Sequence, residues 1–110
     1  MPTLNAQSLL QDMLQAAKGS LSDKWPSVRD LATSSLKKIA ISLVEIEKMK
    51  LDGTITEEQA NLMVSMDKNT FKIVMLTVEG LGLLAVEDVL NAALNIIRDT
   101  VNTAIGFAIL

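Results

Sequence analysis

Apolar residues recur every three or four positions along nearly the whole of this chain. That spacing places apolar side chains on one face of an α-helix, whereas the strict alternation typical of a half-buried strand is scarce. The chain also has only two prolines and five glycines among its 110 residues, so few positions interrupt long helices. The sequence therefore predicts an all-α protein, and its length is that of one domain.

Four helical segments follow from this spacing and from the positions of the breaks. We expect them at about residues 3–18, 25–52, 56–79 and 83–109, within a single helical domain that spans residues 1–110. Short connections make consecutive helices antiparallel neighbours. The predicted architecture is a four-helix bundle of two antiparallel helical hairpins, completed by oligomerisation.

Local signals mark several of the helix ends. Gly19 is expected to end the first helix, because glycine readily adopts the left-handed conformation found just after a helix. Pro26 suits the first turn of the second helix, where a missing N–H costs nothing. Gly53 is expected to end that helix. Thr56 and Gln59 have the spacing of a capping box, which predicts the start of the third helix.

The segment from Gly80 to Gly82 is predicted to be either a kink or a turn. Each glycine costs up to about 1 kcal/mol inside a helix, so two of them weaken a helix without forbidding it. The sequence therefore leaves open whether the third and fourth helices are separate or form one kinked helix.

The composition argues against catalysis and metal binding. The chain has no His and no Cys, which removes the commonest general base, the thiolate nucleophile and the usual zinc ligands. The stretch 52–56 looks like the second half of an EF-hand calcium loop. Alignment on its glycine, however, puts Lys48 and Lys50 at two ligand positions and Gln59 at that of the bidentate Glu. We therefore predict a non-enzymatic protein with no cofactor and no metal.

Charge and hydropathy also bear on partners and location. The formal net charge of −3 gives no basic surface, so nucleic acid is not an expected partner. Residues 1–18 lack the basic start and apolar run of a secretory signal. The charge-free stretch 100–110 is too short to span a bilayer, which needs roughly 20 apolar residues. From these observations we expect a cytoplasmic protein.

The fourth helix has more apolar surface than a small bundle needs. Its polar residues occupy roughly a third of the circumference, whereas an outer helix requires only one apolar stripe. We expect the excess to be covered by the same helix of another copy, as a homo-oligomer and most simply as a two-fold dimer. The predicted interface consists of Val86, Val89, Leu90, Ala93, Leu94, Ile97, Val101, Ile105 and Phe107.

The alternative interpretation is a membrane-associated or lipid-binding protein. The segment 104–110 is strongly apolar and would suit a bilayer or an acyl chain. Helices that lie on membranes usually carry Lys or Arg on the polar face. The fourth helix has Arg98 alone and a net acidic polar face, so self-association is favoured and lipid binding stays the alternative.

Overall fold

A computed structural model describes residues 3–110, so Met1 and Pro2 of the predicted domain lie outside the described residues. The described chain contains four α-helices, one short 3-10 helix and no β-strand, which confirms the all-α prediction. The helices are α1 (Ala6–Leu21), α2 (Trp25–Leu51), α3 (Glu57–Met75) and α4 (Leu83–Ile105), with the 3-10 helix Ser22–Lys24 between α1 and α2.

The end of α2 is closed by a glycine, as predicted. Gly53 has a φ of 70°, and its N–H donates to the carbonyl of Lys50 at 3.1 Å. The N–H of Thr54 donates to the carbonyl of Met49 at 2.9 Å. These two bonds form a Schellman motif, which satisfies carbonyls that the helix end would otherwise leave without partners.

The start of α3 has the predicted capping box. The Thr56 hydroxyl accepts from the backbone N–H of Gln59 at 3.1 Å, and the Gln59 side chain accepts from the Thr56 N–H at 3.0 Å. Two N–H groups of the first helical turn are thereby paired. The connection between α2 and α3 is therefore determined by its own residues at both ends.

The prediction that Gly19 ends the first helix is wrong. The α1 helix starts at Ala6, where the Asn5 side chain accepts from the Ser8 N–H at 3.0 Å, and it continues through Gly19 to Leu21. The extra turn places the Leu21 side chain in the core, where it is buried. Burial of a leucine contributes about 1.5–3 kcal/mol, which exceeds the cost of about 1 kcal/mol for glycine in a helix.

The α3 and α4 helices are separate and shorter than predicted. The α3 helix ends at Met75 rather than near residue 79, and the connection 76–82 follows, with Gly80 at a φ of 84°. Leu81 in this connection is buried and fixes it to the core. The α4 helix ends at Ile105 rather than 109, because Gly106 adopts the left-handed conformation.

Consecutive helices run in opposite directions. The connection between α1 and α2 meets the connection between α3 and α4, where Lys24 Nζ donates to the Gly80 carbonyl at 2.9 Å. The opposite end holds the 52–56 turn, the segment before α1 and the segment after α4. Both α2 and α4 contact α1 and α3 and also contact each other, whereas α1 and α3 make no contact within residues 3–110.

The core lies between the four helices and receives side chains from all of them. Its members are aliphatic residues and methionines with one aromatic ring. The largest side chains with almost no exposure are Met13, Leu36, Leu43, Ile46, Phe71, Met75, Ile97 and Ile105.

Candidate interaction surface

The structure places the predicted α4 interface inside a single chain. Eight of the nine residues are buried, with exposures from 0% to 5%, and Phe107 is half-buried. The α4 helix contacts each of the other three helices, so its apolar faces are used for packing within the chain. The eight buried residues are Val86, Val89, Leu90, Ala93, Leu94, Ile97, Val101 and Ile105.

The apolar segment after α4 folds back on the protein. The Asn102 side-chain oxygen accepts from the N–H groups of Ile109 and Leu110, both at 3.1 Å, and Ile109 is buried. The Phe107 ring lies below the Lys50 ammonium, 5.0 Å from ring centroid to Nζ, within the range of a cation–π interaction. These contacts use much of the apolar surface that the sequence suggested for lipid.

A row of exposed apolar side chains runs along α3 and onto Leu76, the residue directly after it. Leu62, Met66, Ile73 and Leu76 are 62%, 60%, 69% and 42% exposed, and Asn69 lies among them and is exposed. The steps between these five positions are four, three, four and three residues. At 3.6 residues per turn they fall within one narrow strip of the helix. We call these five residues the outer stripe.

The face of α3 opposite the outer stripe packs in the core. Ala60, Val64, Phe71 and Met75 are its buried residues, and they lie half a turn from the stripe. The α3 helix is therefore apolar on two opposite sides. One of these two apolar sides is covered by the core and the other is exposed.

Two exposed leucines at the start of α4 lie toward the same end of the protein as Leu76. Lys72 Nζ lies 3.8 Å from Glu87 Oε2, which brings these two turns of the antiparallel helices together. Leu76 lies one turn beyond Lys72, and Leu83 lies one turn before Glu87, toward the same end of the protein. Leu83 and Leu84 are 54% and 73% exposed and enlarge the apolar area there.

A buried carboxylate joins the segment before α1 to α2. Glu47 is 2% exposed. Its oxygens accept from the Thr3 N–H at 2.9 and 3.0 Å, from the Thr3 hydroxyl at 2.8 Å and from the Leu4 N–H at 2.8 Å. Burial by itself raises the pKa of Glu47, but the hydrogen bonds from Leu4 and Thr3 outweigh it and hold the pKa below its ordinary value.

A small groove lies between α2 and α3. Its volume of about 70 Å³ is well below the roughly 300–1,000 Å³ of typical ligand pockets. It holds a few water molecules at most. Its lining residues are Ser35, Lys38, Ile39, Asp67, Thr70, Phe71 and Val74.

Two features are absent from residues 3–110. No three His, Asp or Glu side chains cluster as ligands of a metal ion would in this part of the chain. Across the same residues, no helix is both long enough and apolar enough to cross a membrane.

Comparison with known proteins gave no relative. No protein-family model, no curated protein and no solved structure matches this chain significantly. The outer stripe and the two exposed leucines at the start of α4 are therefore the features from which a function can be argued.

Proposed function

We propose that this protein is a non-enzymatic assembly protein, a four-helix bundle that self-associates through the outer stripe of α3. The observation that carries this proposal is the row of exposed apolar side chains, interrupted by Asn69, on a helix whose opposite face is already buried. The largest apolar patch on a monomeric protein is typically about 300–600 Å² and is often functional, and larger patches mark interaction sites. A second copy brings the same strip and can cover it.

The spacing of the stripe supports a helix as the covering element. Steps of four and three residues average 3.5, which is the repeat of residues that pack between two helices in a coiled coil. A two-fold arrangement of α3 helices would bury the stripe on both copies at once. Self-association through α3 replaces the predicted α4 interface, whose residues are already covered.

The exposed area agrees with a dimer of moderate strength. Leu62, Met66, Ile73 and Leu76, with Leu83 and Leu84, expose on the order of 600 Å² per copy, against about 800 Å² per partner in standard interfaces. Burying the four stripe residues on both copies contributes about 8–14 kcal/mol. Association costs about 4–15 kcal/mol; a cost near the lower end of this range leaves a net gain of about 5–8 kcal/mol, and on that basis we propose a dissociation constant of roughly 1–100 µM.

Sedimentation velocity over a range of about 1–500 µM tests the proposal, because this range spans the expected dissociation constant. The wild-type protein should change from monomer to dimer within it. Ile73→Asp should weaken the dimer at least about tenfold, since a carboxylate would be buried without a partner. Ile96→Asp is the matched control, because Ile96 is also exposed, at 54%, but lies on α4.

A wild-type protein that stays monomeric over the whole range would refute self-association. An unchanged dimer in Ile73→Asp would refute the outer stripe as the interface. Flotation of the protein with liposomes, lost in Ile73→Asp and kept in Ile96→Asp, would show that lipid covers the stripe instead. Lys72, at the edge of the stripe, lies 3.8 Å from Glu87 Oε2, so its charge is already partly offset and is less available to anionic lipid, which favours a second copy.

A further inference from the structure

Asn69 is the polar residue of the outer stripe, and it lies at the midpoint. Leu62 and Leu76 are each seven positions away, while Met66 and Ile73 are three and four positions away on either side. The carboxamide is exposed, so in a single copy it is solvated by water. Any partner that covers the whole stripe also removes this amide from water.

We propose that Asn69 hydrogen-bonds to the partner subunit's Asn69 across a two-fold axis, and that this pair selects a second copy of the chain as the occupant of the stripe. The inference rests on the proposed self-association. If a second copy covers the whole stripe, the two-fold axis that relates the two copies passes the midpoint of the stripe, whether the two α3 helices run parallel or antiparallel. Both orientations therefore bring the two Asn69 side chains together.

The chemistry of the amide explains the selectivity. A carboxamide has two donors and an acceptor, so two of them facing each other satisfy one another. An acyl chain or an apolar helix would leave the buried amide without a partner, which is costly. In coiled coils, a single buried Asn fixes register and oligomeric state at some loss of stability. Asn69 has the position and the surroundings for that role.

Cysteine cross-linking tests the position of the axis, because the chain has no cysteine of its own. The Asn69→Cys protein, at a concentration near the dissociation constant and with oxidised glutathione as the oxidant, should form a disulfide-linked dimer. Disulfides require Cβ atoms about 3.5–4.5 Å apart, so the reaction reports close approach. Asn61→Cys is the control, because Asn61 is exposed on α3 outside the stripe. We expect at least tenfold faster cross-linking at position 69.

A second pair of variants tests selectivity. Asn69→Leu should tighten association at least tenfold and allow species larger than a dimer, because it removes the polar group that fixes the register. Asn61→Leu should leave both properties unchanged.

Wild-type sedimentation separates the two ways in which the inference can fail. If the wild-type protein is monomeric at all concentrations, the proposed function fails. If it dimerises but cysteine at position 69 links no faster than at position 61, or if Asn69→Leu leaves both affinity and mass unchanged, only the Asn69 pair is overturned.

Discussion

Replacing Glu47 with glutamine should destabilise the fold, and the hydrogen bonds that Glu47 accepts give the size of the effect. The carboxylate accepts from two backbone N–H groups and one hydroxyl, all within 3.0 Å. In glutamine, an oxygen at the Oε1 position still accepts from the Thr3 and Leu4 N–H groups, but these bonds are no longer made to a charged group. The amino group at the Oε2 position cannot accept, so it faces the Thr3 N–H unfavourably and leaves the Thr3 hydroxyl without its acceptor. Hydrogen bonds to charged groups contribute about 1.5–3 kcal/mol, and an unpaired buried donor costs about 1–3 kcal/mol. We expect Glu47→Gln to lower the free energy of unfolding by about 2–4 kcal/mol at neutral pH.

Urea denaturation followed by circular dichroism measures this loss, provided that the slope of the transition is unchanged. Glu45→Gln is the matched control, because Glu45 is an exposed glutamate on the same helix, and its effect should stay within about 0.5 kcal/mol. Thr3→Val removes the hydroxyl bond and keeps both N–H bonds. It should therefore cost about 1.5 kcal/mol, the lower end for a bond to a charged group, because Thr3 is exposed.

The pH dependence gives an independent check. Because the pKa of Glu47 is lower in the folded protein, the ionised carboxylate stabilises the fold above the unfolded-state pKa of 4.5. This contribution is lost as the pH falls through the folded-state value. The difference in stability between wild type and Glu47→Gln should therefore shrink below about pH 4.5. A difference that is constant from pH 7 to pH 3, or a Glu47→Gln effect equal to that of Glu45→Gln, would refute the reasoning.

Two further predictions concern glycines and neighbouring isoleucines. Gly19→Ala should raise the free energy of unfolding by about 0.5–1 kcal/mol, because Gly19 is helical with no atom near an added Cβ. Gly53→Ala should lower it by about 1 kcal/mol, because its φ is 70°; changes of the same sign in urea denaturation would contradict this. Ile97→Asp should cost more than about 3 kcal/mol, because Ile97 is 1% exposed, whereas Ile96→Asp should keep the fold. Equal circular dichroism melting curves for Ile96→Asp and Ile97→Asp would contradict the orientation of α4, in which Ile97 faces the core and Ile96 faces solvent.

Helix number and several helix ends could be predicted because short-range chemistry determines them. The capping box at Thr56 and the left-handed Gly53 depend only on residues within one turn. The end of α1 could not be predicted in the same way, because Gly19 gave a local stop signal. The buried Leu21 outweighs that signal, and the burial of Leu21 depends on helices distant in the sequence.

The position of the proposed interaction surface does not follow from the sequence alone, because exposure depends on how the four helices pack against one another. The α4 helix is the most apolar and was expected to have surface left over, but it contacts all three other helices. The spacing of Leu62, Met66, Ile73 and Leu76 is visible in the sequence. Nothing in the sequence distinguishes that row from the opposite row of α3 that packs in the core.

The role of Glu47 was missed for a related reason. Glu47 lies two residues after Glu45 and directly before Lys48, so it looks like one more charged residue on a solvated helix face. Its burial results from the approach of Thr3 and Leu4, which lie more than forty residues away in the sequence. A long-range contact of this kind leaves no local pattern.

The α3 helix has few buried residues, so the proposed self-association would make its folding depend on the protein concentration. It buries four residues in nineteen, against five in sixteen for α1, and α1 does not touch it. A second copy that binds only the folded form would shift the equilibrium toward that form by mass action. On dilution, backbone amides of α3 should therefore exchange with deuterated solvent sooner than those of α4, and the melting temperature of the whole chain should fall.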